Sequence, residues 1–262
     1  MSITEVLIAI IGGFIAGIIN TLAGNGSAIT LTILTEVIGL PGNMANGTNR
    51  VGVLLQSWIG SWAFYRNGTL QVRRDLFIII PMIIGALFGV FVAIWVSNDQ
   101  FIQVFRYLMI FMLIVILFRP KRWLQPSDHQ FIKNRWLLIP LFLALGFYGG
   151  FIQMGMGVFF LAIMVLGVRY SLVDSNAVKV FVIGAYTIVV LAIFHWQGLV
   201  DWKVGGILAL GQMSGAYLTA NFAANHPKAN IWAHRLLVVV VLLAIFKLFE
   251  LEQYLLPFFQ SS

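Results

Sequence analysis

The sequence predicts an all-α polytopic membrane protein made of two inverted repeats. Each repeat is expected to hold a re-entrant or broken helix pair plus three transmembrane helices, about eight transmembrane segments if each broken pair counts as one. Composition is the first reason. Of 262 residues, 60% are hydrophobic and 10% charged, whereas a soluble domain carries about 25% charged residues; mean hydropathy is +0.95. The second reason is an internal duplication with a period of half the chain. Gly13-Phe14 with Gly17 matches Gly146-Phe147 with Gly150, Asn46 matches Asn176, Gly68 matches Gly198, and Gly85-Ala86 matches Gly215-Ala216. The third is a matched pair of polar interruptions, Asn20-Thr21-Leu22-Ala23-Gly24-Asn25-Gly26-Ser27 and Gln153-Met154-Gly155-Met156-Gly157. A helix broken inside a bilayer leaves backbone groups without partners, and survives only where it is buried in protein or lines a cavity. Two such breaks at corresponding positions point to a transporter's binding site.

The apolar segments fall near 3–19, 27–39, 43–65, 76–96, 101–118, 137–153, 157–167, 172–196, 203–223 and 232–249. The first carries Glu5 as its first charge, has no basic leader and is interrupted by Gly12-Gly13, so it reads as a retained helix and not a signal peptide. The halves are a first transmembrane repeat over 1–118 and a second, inverted one over 137–262, joined by a cytoplasmic basic loop over 119–136 that contains Lys121, Arg122, Asp128 and Lys133. Gly85-x-x-x-Gly89 and Gly211-x-x-x-Gly215 permit close helix packing, with Gln212 and Ser214 expected to face a cavity. Arg106, His195, His234 and Arg235 lie near segment ends, where long side chains snorkel. Trp58, Trp95, Trp196 and Trp202 read as interfacial anchors.

Two topologies compete. If each broken pair makes one crossing, each half crosses four times and the repeats are parallel. If each pair is a re-entrant hairpin, each half crosses three times and the repeats are inverted. In the hairpin arrangement Arg66, Arg73, Arg74, the 119–135 loop, Arg169 and Lys228 share one side, and Glu5, Asp99, Glu250 and Glu252 the other. Only Lys203 and Lys247 are out of place. The Lys/Arg bias favours the hairpins, with both termini outside and the basic loops in the cytoplasm.

The first tip supplies Asn20, Thr21, Asn25 and Ser27, with Gly24 and Gly26 permitting the turn. Ser27 or Asn25 is expected to cap the returning half-helix, whose amides and positive dipole end would favour an anion. Gly155 and Gly157 repeat that geometry, with Gln153 as the counterpart of Asn20. A pair of packing kinks is the plainer alternative. Beyond the first tip, positions 46, 49, 50, 53, 57 and 60 share one helical face, placing Asn46, Asn49, Arg50, Ser57 and Gly60 together with Gln56 beside them; Trp58, Ile59 and Trp62 lie off it. Arg50, about 10 Å into the helix, is either an anion ligand through its planar fork or a structural group bonded to hairpin carbonyls. The matching stretch Asn176-Ala177-Val178-Lys179 places Lys179 one turn from Asn176. Lys179 is a ligand or proton carrier, or else the partner of Asp174, which can also cap the helix start.

Other function classes lack their signatures. The net charge of +7 comes from short loops, with no basic stripe interleaved with aromatics for nucleic acid. Absence of Cys removes disulfide and thiolate metal sites. No zinc-protease motif or nucleophile elbow occurs, and the four His do not cluster with carboxylates at metal-ligand spacing. No enzyme activity, catalytic residue, metal or other cofactor is expected. The partners expected are a small anion and the lipid bilayer, with a homodimer left open.

Ala23-Gly24-Asn25-Gly26-Ser27, Gly39-Leu40-Pro41 followed by Ala45-Asn46-Gly47-Thr48-Asn49-Arg50-Val51, and Asn176-Ala177-Val178-Lys179-Val180 together resemble the TauE/SafE family, the sulfite exporters. The Gly-Phe-x-x-Gly opening of each half and the Gly198-x-x-x-Trp202 end extend the resemblance over almost the whole chain. It implies a multi-pass carrier of the bacterial inner membrane with an inverted repeat, moving a small sulfur-containing anion such as sulfite, thiosulfate or an organosulfonate (sulfoacetate, for example). Asn25 stands where the family usually has Gly, and Met154 and Met156 where it has smaller residues. The expected mechanism is alternating access around the tips, with export electrically favoured. An anion channel, an uptake carrier for another organic anion, and a membrane-embedded enzyme are the alternatives.

Overall fold

The computed structural model describes residues 1–93, 136, 138–151 and 153–248, with isolated helical positions at 110, 114 and 117. The rest of the expected segment 101–118, and the basic loop as far as 135, lie outside the described residues, as do Asp99, Arg106, Glu250 and Glu252. Nine helices and no strand occur among the described residues. They are α1 (Ile3–Leu22), α2 (Ser27–Thr32, continued by a π-helical turn over Ile33–Val37), α3 (Gly42–Arg66) and α4 (Val72–Ala93), then α5 (Leu138–Phe151), α6 (Met156–Ala162, continued by a π-helical turn over Ile163–Val168), α7 (Leu172–Trp196), α8 (Trp202–Asn225) and α9 (Ala229–Leu248). Three of them, α1, α4 and α7, are long and apolar enough to cross a membrane.

Local chemistry sets several boundaries. Ser2 and Glu5 form a reciprocal capping box that starts α1. Pro41, with its fixed φ, precedes the first turn of α3. Ser171 accepts from the Asp174 amide at the start of α7, and Asp201 from the Val204 amide at the start of α8.

At both breaks the chain reverses. Gly24 (φ +81°) and Gly155 (φ +78°) adopt the left-handed conformation that side chains disfavour. The returning arm α2 then lies back along α1: Gly26 packs on the Ala16 carbonyl and Asn20, and the Ile33 side chain covers Gly12. Likewise α6 lies back along α5, with Met156 at Gly149 and ring contacts pairing Tyr148 with Phe159 and Phe142 with Phe160. Each broken pair is therefore a hairpin, not a single crossing.

The first hairpin arm of each half packs on the fourth helix of the other half, α1 on α8 and α5 on α4. In the α1–α8 contact Gly13 and Gly17 meet the carbonyls of Leu208 and Gln212, while Gly211 and Gly215 meet those of Ile10 and Phe14. In the α5–α4 contact Gly146 and Gly150 meet Met82 and Ala86, while Gly85 and Gly89 meet Leu143 and Phe147. A Cβ added at any of these eight glycines would lie 1.9–2.6 Å from the facing carbonyl oxygen, so backbone contact itself is the packing device. The contacts equate Gly85 with Gly211 and Gly89 with Gly215. The expected match of Gly85-Ala86 to Gly215-Ala216 is one helical turn out, because a four-residue glycine spacing aligns in either register.

Helices α3 and α7, each 25 residues long, run antiparallel through the centre: Gly60 meets Val180, Gly184 meets Ser57 and Trp58, and Arg50 stands over Phe194. Helices α3 and α8 run parallel, with Gly205 at Thr48, Gly52 at Gln212 and Gly60 at Ala216. The lipid-compatible exterior carries Trp58, Trp62, Trp196 and Trp202. His234 is buried, not snorkelling, whereas Arg235 is exposed beside the Trp232 ring.

Candidate functional site

The two hairpin tips touch. A Cβ added at Gly24 would lie 2.5 Å from the Gly157 Cα, and one added at Gly157 would lie 2.4 Å from the Gly24 Cα. Around this contact the fold gathers most of the residues singled out in the sequence. Asn20, Thr21, Gly24, Asn25, Gly26, Ser27, Asn49, Arg50, Gln153, Gly155, Gly157, Asn176 and Lys179 are all buried, and Asn46 is half-buried.

Each half lends a cation to the other half's hairpin. Arg50, fully buried on α3, donates to the Gly149 carbonyl at 3.0 Å, to the Gly150 carbonyl at 3.4 Å and to Gln153 Oε1 at 2.5 Å. Tyr186 donates to the same Gln153 oxygen at 3.3 Å. Lys179, fully buried on α7, donates to the Thr21 carbonyl at 3.1 Å and to Asn176 Oδ1 at 2.5 Å, while Asn176 Nδ2 donates to the Leu22 carbonyl at 3.1 Å. The four carbonyls belong to the last turns of α1 and α5, which end inside the protein with carbonyls that no helical amide can reach. A cation there also meets the negative end of the helix dipole. Lys179 does not pair with Asp174, whose carboxylate instead accepts from Ser171 at 2.7 Å.

The half-helix amides are engaged locally. The Ser27 amide donates to Asn20 Oδ1 at 3.2 Å, Ala28 and Ile29 donate to the carbonyls of Asn25 and Gly26, and Met156 and Val158 to those of Gln153 and Gly155. Asn20 therefore covers the start of α2. The expected cap from Ser27 or Asn25 does not form, because Gly26 occupies the cap position and has no side chain to offer. Thr30 ties this tip to α3, its hydroxyl lying 2.7 Å from Asn49 Oδ1 and 3.1 Å from the Ser27 carbonyl. Asn20, Ser27, Thr30 and Asn49 thus form one connected network.

That network has spare capacity. Asn20 Nδ2, Asn25 Oδ1, Ser27 Oγ, Asn46 Oδ1, Asn49 Nδ2 and Arg50 Nε are buried without a hydrogen-bond partner. Buried polar groups are rarely left unpaired, and each such group calls for an explanation. Here three of the six are N–H donors and Ser27 adds a hydroxyl, a set suited to an oxyanion.

The family model described as Sulfite exporter TauE/SafE matches residues 9–248. The chain belongs to the TauE/SafE family. Among similar proteins, "Probable membrane transporter protein ORF9" of Sinorhizobium sp is 26% identical over 235 residues, covering 90% of this chain and 89% of that one. A "Probable membrane transporter protein" of Haemophilus influenzae is 29% identical over 221 residues, covering 84% and 85%. "Probable membrane transporter protein YfcA" of Escherichia coli K12 is 26% identical over 206 residues, covering 77% and 74%. No solved structure matches significantly. This TauE/SafE protein is a multi-pass membrane transporter.

Sequence reasoning passed over one buried acid in this TauE/SafE protein. Asp75, in the first turn of α4, is fully buried. Its Oδ1 accepts from Tyr170 at 2.8 Å and from Arg74 Nε at 3.2 Å. Burial, and then the hydrogen bond to Asp75, push the Tyr170 hydroxyl pKa up from its ordinary value. The Arg73-Arg74-Asp75 run reads as surface charge because nothing local shows that Tyr170 folds over it. Glu36, by contrast, is exposed, and so is Ser214, whose hydroxyl donates back to the Leu210 carbonyl.

Proposed function

We propose that this transporter moves a small sulfur oxyanion or organosulfonate, such as sulfite, thiosulfate or sulfoacetate, across the bacterial inner membrane by alternating access at the paired hairpin tips. The observation that carries the reading is the set of unpaired donors on Asn20, Asn49, Arg50 and Ser27 beside the Gly24–Gly157 contact. An oxyanion has acceptors for all of them, and desolvated charge-assisted hydrogen bonds are the strong ones. The antiparallel α3 and α7 and the duplicated hairpin contacts support an inverted repeat, and with it two equivalent openings to opposite sides. The basic loops then face the cytoplasm and both termini face outward. Against an inside-negative potential, anion export gains about 2.3 kcal/mol per charge per 100 mV, which favours export over uptake.

Flux of labelled sulfite, thiosulfate and sulfoacetate through proteoliposomes tests the proposal. Saturable flux of at least one of them, inhibited by the others and lost in Asn49→Ala with the melting temperature retained, is expected. No saturable flux of any sulfur anion would refute the substrate class; non-saturating flux would favour a channel.

A further inference from the structure

We propose that the seam between α3 and α8 is the anion's path away from the tips, lined by a row of uncharged amides in which Gln212 is the central member; the anionic substrate class rests on the reading above. Gln212 is fully buried, and neither its Oε1 nor its Nε2 has a partner. Its side chain lies over Gly52, where an added Cβ would stand 2.0 Å from Oε1. On α3, Gly52 sits between Asn49 and Gln56, one turn from each on the same face. Asn49 Nδ2 and Gln56 Oε1 are also buried and unpaired. The row therefore starts at the Asn20–Ser27–Thr30–Asn49 network and runs about 10 Å along α3, toward the end that carries Arg66.

The other half lacks the corresponding amides. Helices α3 and α7 align end to end, so Gly52 corresponds to Val182 and Gln56 to Tyr186, while the contacts of Gly17 and Gly150 equate Gln212 with Ala86. Apolar Val182 and Ala86 replace a glycine and a glutamine, and the Tyr186 hydroxyl is spent on Gln153. An unpaired amide in a packed interior is costly and calls for an explanation; a passing anion would supply the missing partner. Neutral amides suit a passage better than a cation would, since they hold an anion weakly enough to release it to the next site. The buried cations of the tips, by comparison, are tied to carbonyls.

The native chain contains no Cys, so single cysteines report only on themselves. Gln56→Cys and Gln212→Cys, with Tyr186→Cys and Ala86→Cys as counterparts, are exposed in membrane vesicles to a sulfonate-bearing methanethiosulfonate. The first two are expected to react at least about tenfold faster than their counterparts, the weight of one hydrogen bond to a charged group. Equal rates in the two pairs would overturn the path. In proteoliposomes, Gln212→Leu is expected to keep or raise the melting temperature and to lower sulfite flux by a similar factor. Full flux in Gln212→Leu would overturn it as well. Absence of flux of any of the three sulfur anions in the wild type would refute the substrate reading alone, and the labelling rates would still decide the path.

Discussion

Gly157→Ala tests whether the two hairpin tips meet as described, because the sign of its effect depends on the contact. Gly157 lies in the first turn of α6 with an ordinary backbone conformation. In open space, alanine there would stabilise the helix by about 1 kcal/mol. The added Cβ would instead stand 2.4 Å from the Gly24 Cα and 2.7 Å from its carbonyl oxygen. Carbon atoms rest at about 3.5–4.0 Å, so the tips must separate by roughly 1 Å or the backbone must strain. Overpacking of this kind costs about 1–3 kcal/mol, which outweighs the propensity gain. Gly24→Ala meets the same obstacle at 2.5 Å and adds a positive φ of +81°, for roughly 1–2 kcal/mol more. The double variant should cost less than the sum of the two by about 0.5 kcal/mol or more, since tips parted by one methyl already have room for the other. Thermal unfolding in detergent reads all three. A melting temperature raised by Gly157→Ala, together with strictly additive singles, would refute the tip contact.

Arg50→Lys keeps the charge but not the fork that reaches two carbonyls and Gln153 at once, and Lys179→Met strands the Thr21 carbonyl and Asn176 Oδ1. Each is expected to lose about 1–3 kcal/mol of stability, with faster amide hydrogen exchange in the hairpin of the opposite half and not in its own. Ser2→Cys should be labelled by an impermeant maleimide added outside intact cells; labelling only after cytoplasmic access would refute the outward placement of the N-terminus.

The breaks were readable because glycines and amide residues cluster there between two apolar runs, and both reversals fall where the sequence places them, at Gly24 and Gly155. The polar face of α3 was readable from its 3.6-residue period, and Trp58 and Trp62 do face outward. What the local pattern cannot carry is which half a side chain serves. Arg50 reaches carbonyls 99 and 100 positions away, and Lys179 one 158 positions away, so neither periodicity nor spacing names the partner. The cap of α2 shows the same limit on a smaller scale: Asn20, seven residues before Ser27, lies outside any capping motif and arrives only because the chain has doubled back. The Gly85 register slipped by a turn for a different reason. A repeated four-residue spacing is degenerate in sequence and is resolved only by the carbonyls it touches.

If the tips open as proposed, the exchange of cations between halves ties that opening to charge. Each first hairpin arm ends in the protein interior with exposed carbonyls, and the group that covers them belongs to the opposite half. On the proposed alternating access, parting the tips would draw Arg50 or Lys179 away from those carbonyls and leave a bare cation in a low-dielectric interior, at a cost of several kcal/mol for an unpaired buried charge. An anion entering there would offset that cost by taking the place of the carbonyls. A ligand shifts a conformational equilibrium only by its differential affinity for the two states. A cation bound to backbone with the tips closed and free for an anion with them open would supply such a difference. On the proposed mechanism, the contacts that hold Arg50 and Lys179 to backbone carbonyls would be the ones released to an anion, and the two readings of these residues would be two positions of one equilibrium.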